Sequence, residues 1–380
     1  EIQDTEKLYV NKINILGNNI TSEKFIRDLL IVDEGDPFNK ILHNKSLNKL
    51  RSKNLFGKVN SKIINTENSD QKDIDIIIEE KPTGELMAGA GYGTDGSTFS
   101  IGIRENNFKG EGINLNSKLS LSEQTVKGFF EYTHPNFAYS DRALSTSLES
   151  SVTDKLTDFG YKSSLNKVSL GTRYEQFEDT FFSPRLSISD ESLDTTSTAS
   201  AAYKKQEGSY FDTTFDYGLA FDKRNSAYQP SSGFFSSWFQ QIPIISENQT
   251  IINGYQITGY KEIADDMVVS SGVYSRAVNS LTNDDVRVSR RIFAPSSRLR
   301  GFESGKVGPV DGTDHIGGNY VVTFNTSSTV PYILQTQENM DLKVFFDAGN
   351  IWGVDYSSTL DDSNTIRTST GVALEIVTPV

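Results

Sequence analysis

The 380-residue sequence contains no cysteine, which excludes disulfide bonds and thiolate metal sites within it. Its three histidines, His43, His134 and His315, are isolated from one another, so they offer little from which to build a catalytic triad. No apolar run approaches the ~18 residues that a membrane-spanning helix needs. These absences argue against an enzyme, and they leave strands as the means by which this chain could cross a membrane.

Acidic residues outnumber basic ones and give the chain a formal net charge of -13, without long blocks of one sign. A nucleic-acid-binding surface needs clustered Lys and Arg, so this charge pattern disfavours that function. The mean hydropathy of -0.42 is typical of a soluble protein. Strands that alternate lipid-facing and water-facing side chains average to a similar value, however, so composition alone does not exclude a membrane β-barrel.

The first 82 residues are predicted to form a small module with the order β-α-α-β-β. A strand over 8–16 precedes a helix that Thr21 or Ser22 caps and that continues to Leu30 with apolar residues at helical spacing. Asn39 opens a second helix, and two strands follow over residues 58–65 and 73–80. Such a module leaves an exposed edge strand, which either pairs with extended peptides or is solvated behind charges such as Lys58 and Lys62.

From Gly84 onward, the helical period gives way to segments of about ten residues that alternate in polarity, which is typical of transmembrane barrel strands. Phe99, Ile101 and Ile103, for example, alternate with polar or small residues. A soluble sandwich would also alternate, but it would need fewer strands. About fourteen strands are predicted, beginning near Gly84, Ser97, Gly112, Thr125, Arg142, Tyr161, Pro184, Ser209, Gly233, Tyr255, Met267, Asn319, Met340 and Ile366.

The motif Leu299-Arg300-Gly301-Phe302 lies in an unusually long irregular segment, and long loops in compact proteins are usually functional. An arginine held between two apolar side chains suggests a folded-in loop and needs a carboxylate partner. The alternation of residues 342–348 predicts that Asp347 faces the polar side of its strand and can supply that carboxylate. A solvated arginine in a surface loop is the alternative interpretation.

Two other patterns invite ligand-binding interpretations that we reject. Gly89, Gly91 and Gly93 have the two-residue period of a strand, and no helix follows them, so they do not form a dinucleotide-binding turn. A strand with so few side chains packs weakly. The acidic segment 311–315 lacks the further ligands of a calcium loop and is predicted to be a turn. We therefore expect no metal site and no cofactor.

The motif at 299–302 resembles the (V/I/L)RG(F/Y) signature in loop six of an outer-membrane superfamily that joins POTRA domains to a β-barrel. Residues 222–225 and 228–233 resemble a second signature of that superfamily, and the N-terminal module resembles the POTRA domain that adjoins the barrel in its protein-assembly family. The resemblance assigns residues 1–82 to a POTRA domain and residues 83–380 to an antiparallel barrel. It implies that about fourteen of sixteen strands are present and that the barrel is truncated at its C-terminus.

The resemblance also implies roles for individual residues. Asp347 would be the lumen partner of Arg300, and Glu375 is a further candidate, because Ser327 stands where the family carries a second carboxylate. Glu34 matches a position that contacts a lipoprotein. The strand with Gly89, Gly91 and Gly93 would form one side of a lateral seam in the barrel.

The function implied is the folding and insertion of other barrel proteins into the outer membrane, with the N-terminal module in the periplasm. The implied partners are unfolded outer-membrane clients, the periplasmic lipoproteins of an assembly complex and outer-membrane lipid. A translocation barrel of the same superfamily is the nearest alternative, because it also carries POTRA modules and the loop motif. A porin and a soluble sandwich are the remaining alternatives.

Overall fold

The computed structural model describes residues 7–376, except for 94–95, 138–139, 141, 227–228, 296, 304, 331–339 and 356–364. Tyr228 of the second predicted signature therefore lies outside the described residues, and so does the side chain of Glu375. Within the described part of the chain, no helix is long and apolar enough to cross a membrane.

The N-terminal module has the predicted order β-α-α-β-β. In its sheet the third strand is central, with the first strand parallel to it on one side and the second strand antiparallel to it on the other. Ser22 caps the first helix by accepting a hydrogen bond from the amide of Phe25, and Asn39 caps the second. The elements are β1 (Tyr9–Leu16), α1 (Glu23–Asp28), α2 (Lys40–Ser52), β2 (Phe56–Asn65) and β3 (Gln71–Glu80).

The core of the module forms because both helices turn apolar residues toward one face of the sheet. Alternate residues of β3, Ile74, Ile76 and Ile78, are buried on that face. The helices cover them with a set of buried side chains that includes Phe25, Ile26, Leu47 and Leu50. The second strand remains at the sheet edge, as predicted.

The rest of the chain builds a sheet of fourteen strands, which confirms the predicted architecture and number. Two strands begin earlier than predicted, at Thr180 and Thr250, because turn-favouring residues such as Pro184 and Gly254 lie inside them. The strands are β4 (Gly84–Gly93), β5 (Gly96–Phe108), β6 (Ile113–Ser122), β7 (Thr125–His134), β8 (Ala143–Lys155), β9 (Tyr161–Phe177), β10 (Thr180–Thr195), β11 (Gly208–Asp222), β12 (Ser232–Ser246), β13 (Thr250–Ala264), β14 (Met267–Ser280), β17 (Tyr320–Thr329), β18 (Met340–Trp352) and β19 (Arg367–Ile376).

Short elements occupy the connections between these strands. They are α3 (Leu156–Phe159), α4 (Ala201–Lys204), the 3-10 helix Val288–Arg290, β15 (Val310–Asp311) and β16 (Asp314–His315). The last two strands pair around Gly312, whose φ of +65° suits glycine, so the acidic segment 311–315 forms a turn.

The large sheet has one apolar face and one polar face. Apolar side chains such as Val168 and Ile188 are about half exposed on the first face. Their neighbours Ser169 and Ser187 are buried on the second face, where their hydroxyls bond to each other at 3.1 Å. We call this second face the covered face. Along the sheet, β4 and β19 are the two edge strands in the part of the chain that the structure describes.

Candidate functional site

Residues 281–319, which connect β14 to β17, form a loop that packs on the covered face; we call it the inner loop. Seven of its apolar residues are buried, and they pack on strand residues such as Ile252 and Ile351. The seven are Val286, Val288, Ile292, Ala294, Leu299, Val307 and Ile316. The loop is therefore a packed part of the protein rather than a solvated surface segment.

The predicted motif lies at a tight turn of the inner loop. Leu299 is buried in the apolar cluster beneath the loop. Gly301 has a φ of +83°, a left-handed conformation that glycine adopts without steric cost. This turn leaves both the backbone amide and the side chain of Arg300 directed at one carboxylate.

That carboxylate belongs to Asp347 on β18. The Nε atom of Arg300 donates to Oδ2 at 2.7 Å, and Nη2 donates to Oδ1 at 2.6 Å. The backbone amide of Arg300 adds a third hydrogen bond to Oδ2 at 3.1 Å. The guanidinium also lies 3.8 Å from the ring centre of Phe345, two residues earlier on the same strand. This bidentate geometry fixes both the position and the orientation of the loop.

The alternation of β18 explains why a carboxylate can sit here. Val344 and Phe346 are about two-fifths exposed on the apolar face, whereas Asp347 is 0% exposed on the covered face. A carboxylate removed from water is stable only if charged or polar partners satisfy it. The side-chain amide of Asn325, directly opposite on β17, supplies one more hydrogen bond to Oδ1 at 2.8 Å.

Ser327, which stands where the resemblance implies a second carboxylate in the family, has other neighbours than Asp347. Ser327 lies opposite Phe345, and its hydroxyl bonds to that of Ser270 at 2.8 Å. The residue opposite Asp347 is Asn325, which also donates to the backbone carbonyl of Arg298 at 2.7 Å. Asn325 and Ser327 face the same side of β17. Only the strand register decides which of them lies opposite Asp347, and the register cannot be read from the sequence.

Arg298, in the same turn as Arg300, and Glu375, the further candidate partner, have different surroundings. Arg298 is not a solvated arginine, because Nη2 donates to Oε1 of Gln256 at 2.8 Å and the guanidinium lies over Tyr274. Glu375 pairs with Asp341 on β18, six residues along the strand from Asp347, whose neighbour on β19 is Ser369. The register therefore does not bring Glu375 to the Arg300 pair.

A second charged cluster, which we did not predict, holds the beginning of the inner loop. Arg287 donates to Glu191 on β10 at 3.1 Å and also to Asp212 on β11. Arg290 donates to the same Asp212 carboxylate at 2.6 Å. Three arginines within residues 287–291 indicated a charged segment, but the carboxylate partners of Arg287 and Arg290 lie 75 or more positions away in the chain.

Glu34, the predicted lipoprotein contact, lies between α1 and α2. Its Oε1 accepts hydrogen bonds from the amide of Ile13 at 2.9 Å and from Arg27 at 3.4 Å. The amide of Ile13, aided by Arg27, holds the pKa of the Glu34 carboxyl below its ordinary value. The side chain is 44% exposed, so a charged carboxylate is held in place at the surface of the module.

The predicted seam residues Gly89, Gly91 and Gly93 all belong to β4, at one edge of the large sheet. A Cβ atom added at Gly89 would lie 3.1 Å from the Ser100 hydroxyl of the neighbouring strand. In the part of the chain that the structure describes, no group of acidic residues and histidines could hold a metal ion.

Comparison with known proteins identifies the family. A sequence model of the Omp85 superfamily domain matches residues 107–380. The chain belongs to the Omp85 superfamily. A POTRA model, described as a surface antigen variable number repeat, matches residues 8–81. The N-terminal module is therefore a POTRA domain, and the large antiparallel sheet is the superfamily's barrel sheet.

The curated relatives are outer membrane protein assembly factors called BamA. The protein from Neorickettsia risticii is 24% identical over 98% of this chain and 51% of its own length. The protein from Nitratidesulfovibrio vulgaris is 22% identical over 100% of this chain and 48% of its own length. The chain thus spans about half the length of the curated relatives that it matches.

Solved structures share the fold. BamA from Haemophilus ducreyi lacking POTRA domains 1–3 superposes with a TM-score of 0.84 at 21% identity, covering 98% of this chain and 79% of that one. CdiB from Acinetobacter baumannii gives a TM-score of 0.59 at 12% identity, covering 98% of this chain and 68% of that one. At these identities the likeness concerns the fold alone.

Proposed function

We propose that this chain folds and inserts β-barrel proteins into the outer membrane. Residues 1–82 form the POTRA domain in the periplasm, and residues 83–380 form the membrane barrel. The reaction is a change of conformation and environment in a client protein, and no covalent bond is made or broken.

The observation that carries this proposal is the inner loop held by Arg300 and Asp347. A passive porin needs an open aqueous interior, whereas here a loop packs on the covered face of the sheet through buried apolar residues and a bidentate ion pair. This arrangement argues against a porin. It favours a barrel whose activity depends on its wall and its edges.

In this proposal, strands of the barrel wall act on the client by pairing with its backbone. A client strand adds to an exposed strand edge through main-chain hydrogen bonds, which form regardless of the client's side chains. The β4 strand suits such a role, because its glycines at 89, 91 and 93 present few side chains that would hold a neighbour in place. The edge strand β2 of the POTRA domain offers a second template of the same kind.

The partners in this scheme are unfolded outer-membrane clients, outer-membrane lipid and periplasmic lipoproteins of an assembly complex. Glu34 is the residue we assign to a lipoprotein contact, because its carboxylate is charged, exposed and held in place by Ile13 and Arg27. A basic side chain on the lipoprotein is the complementary group.

The test is a reconstitution of the intact protein in vesicles of outer-membrane lipid, with an unfolded barrel client added from urea. We expect the protein to raise the folded fraction of the client above that in empty vesicles, measured by the heat-modifiable mobility of the client on gels. Equal folding with and without the protein would contradict the proposal.

A translocation barrel is the second candidate, because the fold likeness extends beyond BamA to CdiB. It predicts that a passenger protein crosses the vesicle membrane while client folding stays at the level of empty vesicles. Protease protection of the passenger inside loaded vesicles distinguishes the two functions. A large steady single-channel conductance would instead indicate a porin.

A further inference from the structure

We propose that Arg287, with Arg290, Glu191 and Asp212, forms a second anchor of the inner loop that positions Arg300 for its pairing with Asp347. The loop would then be held at two separate points of the barrel wall. Any effect of the second anchor on client assembly rests on the proposed function, but the positioning of Arg300 does not.

The second anchor is a compact and balanced set of charges. The Arg287 side chain is 1% exposed, and those of Glu191 and Asp212 are 5% and 2% exposed. Ser246 on β12 donates to the remaining Asp212 oxygen at 2.5 Å, and the Tyr210 ring centre lies 4.3 Å from the Arg287 guanidinium. Within this set, two arginines face two carboxylates, so the charges of the four side chains balance.

The 3-10 helix explains how both arginines reach one carboxylate. The amide of Arg290 donates to the carbonyl of Arg287 at 2.9 Å, which is the i to i+3 bond of that helix type. Side chains three residues apart eclipse each other in a 3-10 helix, so both arginines project to the same side. The amide of Val288 is also fixed, because it donates to Oε1 of Gln206 at 2.8 Å.

The two anchors lie on different parts of the sheet. Asp212 is on β11 and Asp347 is on β18, and four strands, β12, β13, β14 and β17, lie between them. The segment that joins the anchors is itself ordered by the paired backbones of Ile292 and Gly318 and by buried Leu299. Fixing the loop at Asp212 therefore limits where Arg300 can be.

Chain entropy limits the size of the expected coupling. In a fully flexible chain, the segment before Arg300 would have 300 − 290 = 10 residues counted from Arg290, and 300 − 280 = 20 residues counted from Ser280 without the second anchor; the contacts of Ile292 and Leu299 restrict it in both cases, so this ratio sets an upper limit. Doubling a flexible segment lowers the probability of closure about threefold. Because coupling is reciprocal, loss of the Arg300 pair must loosen the second anchor by the same factor.

Hydrogen exchange measured by mass spectrometry on the intact protein in lipid, without client, tests this coupling. Asp212→Asn removes the carboxylate shared by both arginines, so exchange in residues 284–292 should rise on the order of a hundredfold. Exchange in residues 297–303 should also rise, by up to about threefold. Arg300→Ala should give the converse pattern, and peptides of β13 should exchange as in the unaltered protein in both variants.

The neighbouring Asp190, which is exposed, supplies the matched control, and Asp190→Asn should change neither segment. Arg287→Lys should restore part of the protection that Arg287→Ala loses, because charge without the guanidinium fork recovers only some of the bonds. Where Asp212→Asn does not reach a folded state, Glu191→Gln carries the same comparison.

Unchanged exchange in residues 297–303 on disruption of the Asp212 cluster would overturn the inference and reduce the cluster to local packing. These measurements involve no client, so their outcome is independent of the proposed function. Failure of client folding by the unaltered protein would contradict the proposed function and leave the result on the loop intact.

Discussion

Arg300 of the inner loop and Asp347 of β18 face each other in a bidentate ion pair with bonds of 2.6 and 2.7 Å, in which the aspartate is fully buried. Asn325 binds the same carboxylate and also the carbonyl of Arg298. One buried acidic side chain thus connects two barrel strands to the turn of the loop.

We expect Arg300→Ala to destabilise the barrel by about 3 kcal/mol, because it leaves the Asp347 carboxylate buried without its charged partner. Arg298→Ala removes one hydrogen bond to Gln256 and the contact with Tyr274, and should cost about 1–2 kcal/mol. The temperature at which the folded band disappears in heat-modifiability gels measures both. Equal losses of stability for the two substitutions would contradict the larger contribution that we assign to Arg300.

The pairing itself predicts strong non-additivity. Asp347→Asn should impair the protein about as much as Arg300→Ala, and the double variant should be little worse than either single one, because both remove the same interaction. Arg300→Lys should restore only part of the loss, since an ammonium group lacks the planar fork. A double-mutant cycle in unfolding free energy provides the measurement, and additive effects would exclude the pairing.

Much of this site could be predicted from the sequence because it depends on local patterns. The two-residue period of β18 was enough to direct Asp347 to the polar face, and the apolar neighbours of Arg300 indicated a folded-in loop. Helical spacing and the caps at Ser22 and Asn39 likewise defined the POTRA helices, although α1 ends at Asp28 rather than Leu30.

The remaining features depend on long-range register, which the sequence does not display. The side chains of Asn325 and Ser327 lie on the same face of β17, and the two residues differ only in which residue of β18 lies opposite them. The Arg287 anchor joins three segments that are distant in the chain, and its carboxylates look like ordinary strand residues until the sheet brings them together.

Gly110, a glycine in the turn after β5, accepts a hydrogen bond from the POTRA domain. Gly110 has a φ of +73°, and a Cβ atom placed there would lie 2.0 Å from the backbone oxygen of Ile20. Gly110→Ala should therefore break the neighbouring bond from the Ser22 amide to the Gly110 carbonyl, 2.8 Å long, and expose the turn.

Limited proteolysis of residues 18–24 and 108–112 reports this change. Gly259→Ala is the control, because a Cβ atom at Gly259 meets nothing within 4 Å. Cleavage of these turns at the same rate in both variants would contradict the expectation.

The POTRA domain should lose stability in acid through Glu80. Burial alone would raise the pKa of this carboxyl, but hydrogen bonds from Thr21, Ile20 and Asn19 outweigh burial and hold the pKa below its ordinary value. A depressed pKa stabilises the fold fully above the unfolded-state value, near pH 4.5, and this contribution disappears as pH falls through the folded-state value.

Glu80→Gln should accordingly destabilise the domain at pH 7 and flatten its loss of stability below about pH 4.5. Calorimetric unfolding of the intact protein from pH 7 to 3 measures this dependence. Glu79→Gln is the matched control, because Glu79 forms only an exposed ion pair with Lys58, which contributes little. The same acid profile in Glu80→Gln as in the unaltered protein would refute the assignment.

The most direct test of client assembly by strand pairing is a thiol crosslink from β4 to a stalled client. This chain has no cysteine, so Ala90→Cys on β4 introduces its one thiol, and Val273→Cys on β14, a strand paired on both sides, is the control. The account predicts that the thiol at position 90 forms disulfide bonds with cysteines placed at alternate positions along one client strand. It predicts no such bonds for the thiol at position 273. Equal crosslinking at both positions, or none at position 90 while the client folds, would contradict it.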